Sequence, residues 1–202
     1  MKKLSIILLL IFCTYTYAQD KQDINPIRIG LKIGTPNIIG GNLEFVTPLL
    51  NNRIAIFADY SGFTLKEDAS KVNLKYFEAG TNIYFKETGK GLYASLSYGT
   101  LNLDGNYSDA ETVNGTLYEG EAEGSIDVST LNAKIGAKLG NKFYFRIEAG
   151  YGFGDIPQQI EITGIEKNTG TTKTDYVEIP DDIPGIDENG YLLFNIGFGI
   201  SF

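Results

Sequence analysis

Nine charged residues hold most of the chemistry this sequence offers: Arg28, Lys32, Glu44, Asp59, Glu78, Lys134, Lys138, Arg146 and Glu148. Each stands in a segment where apolar and polar residues alternate, and each falls on the polar side of its segment. Five are positive and four negative, so on one shared interior surface they come close to neutralising one another. Two readings of such an interior are open. One is a salt-bridged plug, in which paired ions fill an interior barely wide enough for its own side chains. The other is a narrow, gated conduit for protons, ions or small solutes.

Catalysis is poorly served by the remaining residues. The chain has no histidine, the side chain that most often acts as general base or as the middle of a triad. Its one cysteine, Cys13, lies in the N-terminal apolar run, so the chain beyond it has no thiol for a nucleophile, a disulfide or a thiolate metal site. Paired carboxylates remain, but nothing in the spacing singles out a pair in a cleft. The run Gly150 to Gly154, G-Y-G-F-G, is not a nucleotide-binding loop, because no helix pattern follows it. The expectation is a protein without catalytic activity or cofactor.

Acidic residues are concentrated elsewhere. Between Gly91 and Ala133 there is no Lys or Arg, while Asp104, Asp109, Glu111, Glu119, Glu121, Glu123 and Asp127 all occur there. A later stretch adds Asp181, Asp182, Asp187 and Glu188. A solvated acidic surface accounts for both stretches. The alternative is binding of Ca²⁺ or Mg²⁺, which take hard oxygen ligands and would bridge these carboxylates to phosphates of neighbouring molecules. The segment D-D-I-P-G-I-D-E-N-G lacks the full spacing of a calcium loop, so Asp181, Asp182, Asp187 and Glu188 are weak metal candidates.

The elements that position these charges are strands. In Tyr191 to Phe202, Leu192, Phe194, Ile196, Phe198, Ile200 and Phe202 take every second position, which is a period of two with one wholly apolar face. Ten to twelve alternating residues is about the length a tilted strand needs to cross a bilayer. Earlier segments repeat the pattern: Ile27, Ile29, Leu31 and Ile33 oppose Arg28, Gly30, Lys32 and Gly34, and Leu43 and Phe45 oppose Asn42 and Glu44. Further segments cover Arg53 to Leu65, Asn73 to Phe85, a stretch opening at Gly91, one around Leu131 to Leu139, and Phe143 to Gly154. Phe57 breaks the rule by falling on the polar side. Within these spans Lys75, near the start of the Asn73 to Phe85 segment, is the one Lys, Arg, Asp or Glu on the apolar side, and the rest of that side is free of charge, as lipid contact requires.

Composition and the N-terminus agree with a membrane barrel. Lys2 and Lys3, an apolar run from Leu4 to Phe12 and small residues up to Ala18 read as a cleaved secretory signal peptide over residues 1–18, too short for a membrane-spanning helix. Cys13 is a poor lipoprotein acylation site because bulky Phe12 precedes it. Residues 19–25 then form a short periplasmic segment and 26–202 the barrel. Losing Lys2 and Lys3 takes the basic count from 17 to 15 against 25 acids, and the formal charge from −8 to −10, which disfavours nucleic acid as a partner. The mean hydropathy of −0.09 suits a chain that shows apolar residues to lipid and polar ones to its lumen.

The connections settle the topology expected. Pro48 to Asn52, Lys86 to Lys90 and Gly140 to Lys142 are tight, while polar stretches of tens of residues follow the fifth and seventh segments. Short turns on one side and long loops on the other imply an even number of strands with both termini in the periplasm. Eight strands are expected. Ten is the alternative, since Gln158 to Ile165 and Thr172 to Ile179 can form a hairpin around N-T-G-T, but Glu161, Glu166, Lys167 and Lys173 are too charged for lipid and suit an extension above the membrane.

The leader, the alternation of turns and loops, and a final strand ending in phenylalanine resemble the small outer-membrane β-barrel proteins of Gram-negative bacteria, the group containing OmpX, OmpW and the membrane domain of OmpA. The resemblance implies an all-β, up-and-down antiparallel transmembrane barrel. It also implies that Phe194, Phe198, Ile200 and Phe202 serve as the signal read by the barrel-assembly machinery. Enzymes in such barrels resemble one another in using a histidine, which this chain lacks. One departure is the absence of tryptophan, leaving an interfacial girdle of Phe45, Phe85, Phe143 and Phe202 at the periplasmic rim and Tyr60, Tyr98 and Tyr151 further out.

The function expected is therefore a monomeric outer-membrane protein with a structural or surface-interaction role, in contact with lipid and lipopolysaccharide. A narrow, porin-like channel is the second reading. A soluble lipocalin-type barrel is the third; it would turn the apolar faces inward and leave Phe202 without a reason.

Overall fold

The computed structural model describes residues 24–67, 70–108, 121–165, 171–180 and 184–202. The expected leader lies outside them, as does most of the segment that follows it. Among the described residues every regular element is a β-strand. Seven long strands come first: β1 (Ile27–Thr35), β2 (Ile38–Val46), β3 (Ile54–Glu67), β4 (Ser70–Tyr84), β5 (Gly91–Ser108), β6 (Glu121–Gly140) and β7 (Phe143–Phe153). A hairpin of β8 (Gln159–Ile165) and β9 (Thr172–Glu178), a two-residue β10 (Ile186–Asp187) and the final β11 (Gly190–Ser201) complete the chain.

Each long strand pairs antiparallel with its neighbour, β7 pairs with β11, and β11 pairs with β1, so eight strands close into an up-and-down barrel. The closing seam runs from Arg28 opposite Ser201 to Thr35 opposite Phe194. Ile27 and Phe202 exchange backbone hydrogen bonds at its end, Ile27 N to Phe202 O at 3.3 Å and Phe202 N to Ile27 O at 2.8 Å. Closure leaves no edge in the ring, which is the condition for strands to cross a hydrocarbon layer. The ten-strand alternative does not hold. β8 meets β6 only at Ala122–Gly124, beyond the point where β7 has parted from β6.

Side-chain direction follows the period of two. Ile29, Leu43, Ile56, Phe77, Leu96, Ile135, Ile147 and Phe198 stand exposed on the outer wall, with Ile135 at 68%. Their partners in the alternation, among them Arg28, Glu44, Asp59, Glu78, Lys134 and Arg146, are buried inside. Phe45, Phe85, Phe143 and Phe202 ring the end where the termini lie, and Tyr60 and Tyr98 project outward nearer the other. At the terminus end the turn between β6 and β7 is two residues long. It is possible because Gly140 adopts φ +109°, where a Cβ would strike the Phe143 carbonyl.

Towards the other end the fold departs from expectation. The polar stretch after the fifth segment reads as loop as far as Gly124, yet β5 runs to Ser108 and β6 begins at Glu121, with Ser108 opposite Glu121. Alternation continues there with its polarity reversed. Thr100, Asn102, Asp104, Ser125, Asp127 and Ser129 now occupy the outer side, while Leu101, Leu103, Ile126 and Val128 occupy the inner one. Val128 is buried with Tyr191 and Leu193, and Leu101, Ile126 and Ile156 pack against them. These segments lack the apolar outer side of a lipid-facing strand, because above the lipid a strand buries its apolar side inward like any soluble sheet. The β8–β9 hairpin, through Ile160 and Ile162, lines the same apolar inner side.

Candidate functional site

The strand pleat delivers all nine charged residues named from the sequence to the interior, each no more than 4% exposed. They form a column. Nearest the terminus end, Glu44 accepts from Arg28 Nη1 at 2.6 Å, Arg146 Nη2 at 3.0 Å and the Lys138 ammonium. Tyr84 Oη donates to the same carboxylate at 3.0 Å and Asn82 Nδ2 at 2.8 Å. A carboxylate ringed by three cations and two neutral donors is fully compensated for its loss of water.

The next level centres on Glu148. Lys32 Nζ lies 2.6 Å from it, Arg146 Nη1 at 3.5 Å and Lys134 Nζ at 3.9 Å, while Tyr93 Oη donates at 2.6 Å. Lys32 also pairs with Asp59, which accepts a further bond from Asn42. Lys134 reaches on to Glu78 at 2.5 Å, and that carboxylate accepts from Ser97 and from Tyr76 Oη at 3.1 Å. Asn132 donates to Tyr76 Oη at 3.0 Å, Thr130 donates to Asn132 at 2.7 Å, and the hydroxyls of Thr130 and Tyr191 meet at 3.2 Å. Above them the apolar cluster of Val128, Tyr191 and Leu193 covers the column.

Several members of this interior are not ionic and were not singled out as site residues by their chemistry. Tyr76, Tyr84, Tyr93, Tyr144, Asn82 and Asn132 all sit on the same alternation parity as the charges, and parity is the signal that assigns them. Phe57, out of place in the pattern, lies with its ring centroid 5.0 Å from Lys134 Nζ and 5.8 Å from Lys32 Nζ. An aromatic face is an acceptable neighbour for a buried ammonium, which accounts for a phenylalanine on the polar side. Room for the tyrosines comes from facing glycines: a side chain at Gly136 would run into the Tyr93 ring.

The remaining sequence candidates lie elsewhere. Phe194, Phe198 and Phe202 are exposed on the outer wall and Ile200 is half-buried there. Asp181 and Asp182 lie outside the described residues. Asp187 receives Tyr151 Oη at 2.9 Å and the Asn189 backbone N–H at 2.8 Å, and Glu188 lies 3.5 Å from Asn189 Nδ2. Among the described residues no three His, Cys, Asp or Glu side chains are gathered for a metal ion.

No family model matches the chain, and no curated protein is significantly similar to it. Solved structures do resemble it. A major outer membrane protein from Thermus thermophilus matches with a TM-score of 0.50 at 12% identity, over 87% of this chain and 97% of that one. CarO of Acinetobacter baumannii matches with a TM-score of 0.43 at 14% identity, over 91% of this chain and all of the other. The Thermus likeness speaks to fold: this chain shares the closed antiparallel β-barrel of that outer membrane protein.

Proposed function

We propose that this chain is a monomeric outer-membrane barrel whose interior is filled by its ionic column, with a structural or surface-interaction role and no catalytic activity. The observation that carries the reading is that the column spans the lumen. Lys138 on β6 and Glu44 on β2, four strands apart in a ring of eight, are in direct contact, so no open bore passes between them. The outer wall supports the membrane setting. A belt of Ile, Leu, Phe and Tyr this continuous costs free energy in water, at roughly 25 cal/mol per Å² of apolar surface, and is at home in lipid. Tight turns at the end holding both termini support a periplasmic position for that end. Lipopolysaccharide around the belt, and the assembly machinery reading β11, are the partners this reading calls for.

Two measurements test it. In membrane fractions the protein should co-purify with the outer membrane, and on denaturing gels the unboiled band should migrate apart from the boiled one. In planar bilayers the folded protein should be silent. A soluble periplasmic protein without a gel shift would overturn the membrane reading, and steady conductance would replace the plug with the channel.

A further inference from the structure

We propose that the terminus-side mouth of the barrel is a binding site for a small free oxyanion of phosphate type. A cavity of about 210 Å³ opens there, lined by Arg28, Lys90, Lys138, Tyr144, Asn25 and Asn141 among others, and among the described residues no carboxylate side chain lines it. The wall behind it is unevenly charged. Arg28, Lys138 and Arg146 converge on the single carboxylate of Glu44, so this level holds more positive than negative charge even after Arg146 is shared with Glu148. Lys90, half-buried at the rim, touches Asn141 and makes no ion pair among the described residues. Charge confined in a narrow, low-dielectric mouth concentrates counter-ions of the opposite sign.

Two buried donors point to the same ligand. Among the described residues the hydroxyl of Tyr144, a residue 5% exposed, has no hydrogen-bond partner, and neither does Nε of Arg28, a residue 4% exposed. Buried donors in folded proteins are seldom left unpaired, and a guanidinium fork beside a hydroxyl and an ammonium is a donor set suited to an oxyanion. Tyr144 is held in place for the task. Its hydroxyl lies over Gly30 and Gly199, where a Cβ would come within 2.5 Å of it, and its ring packs under Lys138 at 4.8 Å. Because these groups face the lumen and not the outer wall, the geometry favours a free anion over the headgroup of a lipid whose acyl chains lie outside the barrel.

The test is calorimetric titration of the folded full chain, in zwitterionic detergent and chloride buffer, with inorganic phosphate and separately with a short-chain phosphatidylglycerol. Saturable binding of phosphate at one site is expected, with none of the lipid. Lys90→Gln and Tyr144→Phe should each weaken it by about tenfold, the scale of a hydrogen bond to a charged group, with the unboiled gel band unchanged. In ¹⁵N-labelled wild type, the Arg28 Nε–H resonance should shift with the same saturation, a readout independent of whether a variant folds. Absence of saturation, lipid binding without phosphate binding, or two folded variants that bind like wild type would each overturn the site. Because conductance is not read here, failure leaves the closed-lumen reading standing.

Discussion

Lys138 and Glu44 stand on opposite walls of the barrel, on β6 and β2, and their charged groups meet in the middle. Glu44 also holds Arg28 and Arg146 by ion pairs and Asn82 and Tyr84 by hydrogen bonds, so one carboxylate ties five strands, β1, β2, β4, β6 and β7, across the lumen.

Glu44→Gln should therefore be the most damaging single change in the interior. It leaves three buried cations sharing a neutral amide, and deleting one partner of a buried ion pair costs about 3–5 kcal/mol. Urea unfolding in lipid vesicles, followed by the gel shift, should show the folded band disappearing at much lower urea. An unmoved midpoint would mean that water already neutralises these cations.

The double variant Glu44→Ala with Lys138→Ala should open the lumen, since it removes both side chains of the pair that crosses it. Ion conductance in planar bilayers is expected to rise from silence to discrete steps. If the double variant folds and stays silent, the column above it, around Glu148, Glu78 and Lys134, is the seal instead.

Reversal of the inner and outer sides along β6 predicts opposite tolerance to charge a few turns of the pleat apart. Ile135→Lys places an ammonium on the lipid side and should cost about 2–4 kcal/mol near the bilayer midplane. Ser125→Lys, outward-facing above the reversal and opposite Asp104, should change stability by less than about 0.5 kcal/mol. Equal losses in vesicle unfolding would place the lipid boundary higher on the strand.

The apolar cap gives the complementary experiment. Val128→Asp buries a carboxylate against Leu193 and Tyr191 and should cost about 2 kcal/mol or more. Ser129→Asp, one residue along and exposed, should be nearly silent. Comparable losses at both positions would show that the upper ends of β5 and β6 do not pack as a sheet with an apolar inner side.

Much of this was legible without coordinates, because in a strand the side of each residue depends only on whether its position is odd or even. Parity separated Ile29 from Arg28 and Phe145 from Arg146, and the tight turns after β2, β4 and β6 arranged the eight strands in order. Parity alone identifies a strand only where lipid is the solvent on its outer side. Above the lipid the same alternation turns over, and the upper parts of β5 and β6 read as loop. Which charge meets which was decided only by tertiary structure. Parity sends Lys138 and Glu44 inward but says nothing of the register and tilt that bring strands β2 and β6, separated by 94 residues between those two positions, to one level of the lumen. The terminus-side cavity likewise exists only after closure, when Tyr144 from β7 lies over glycines of β1 and β11 that the sequence alone does not connect.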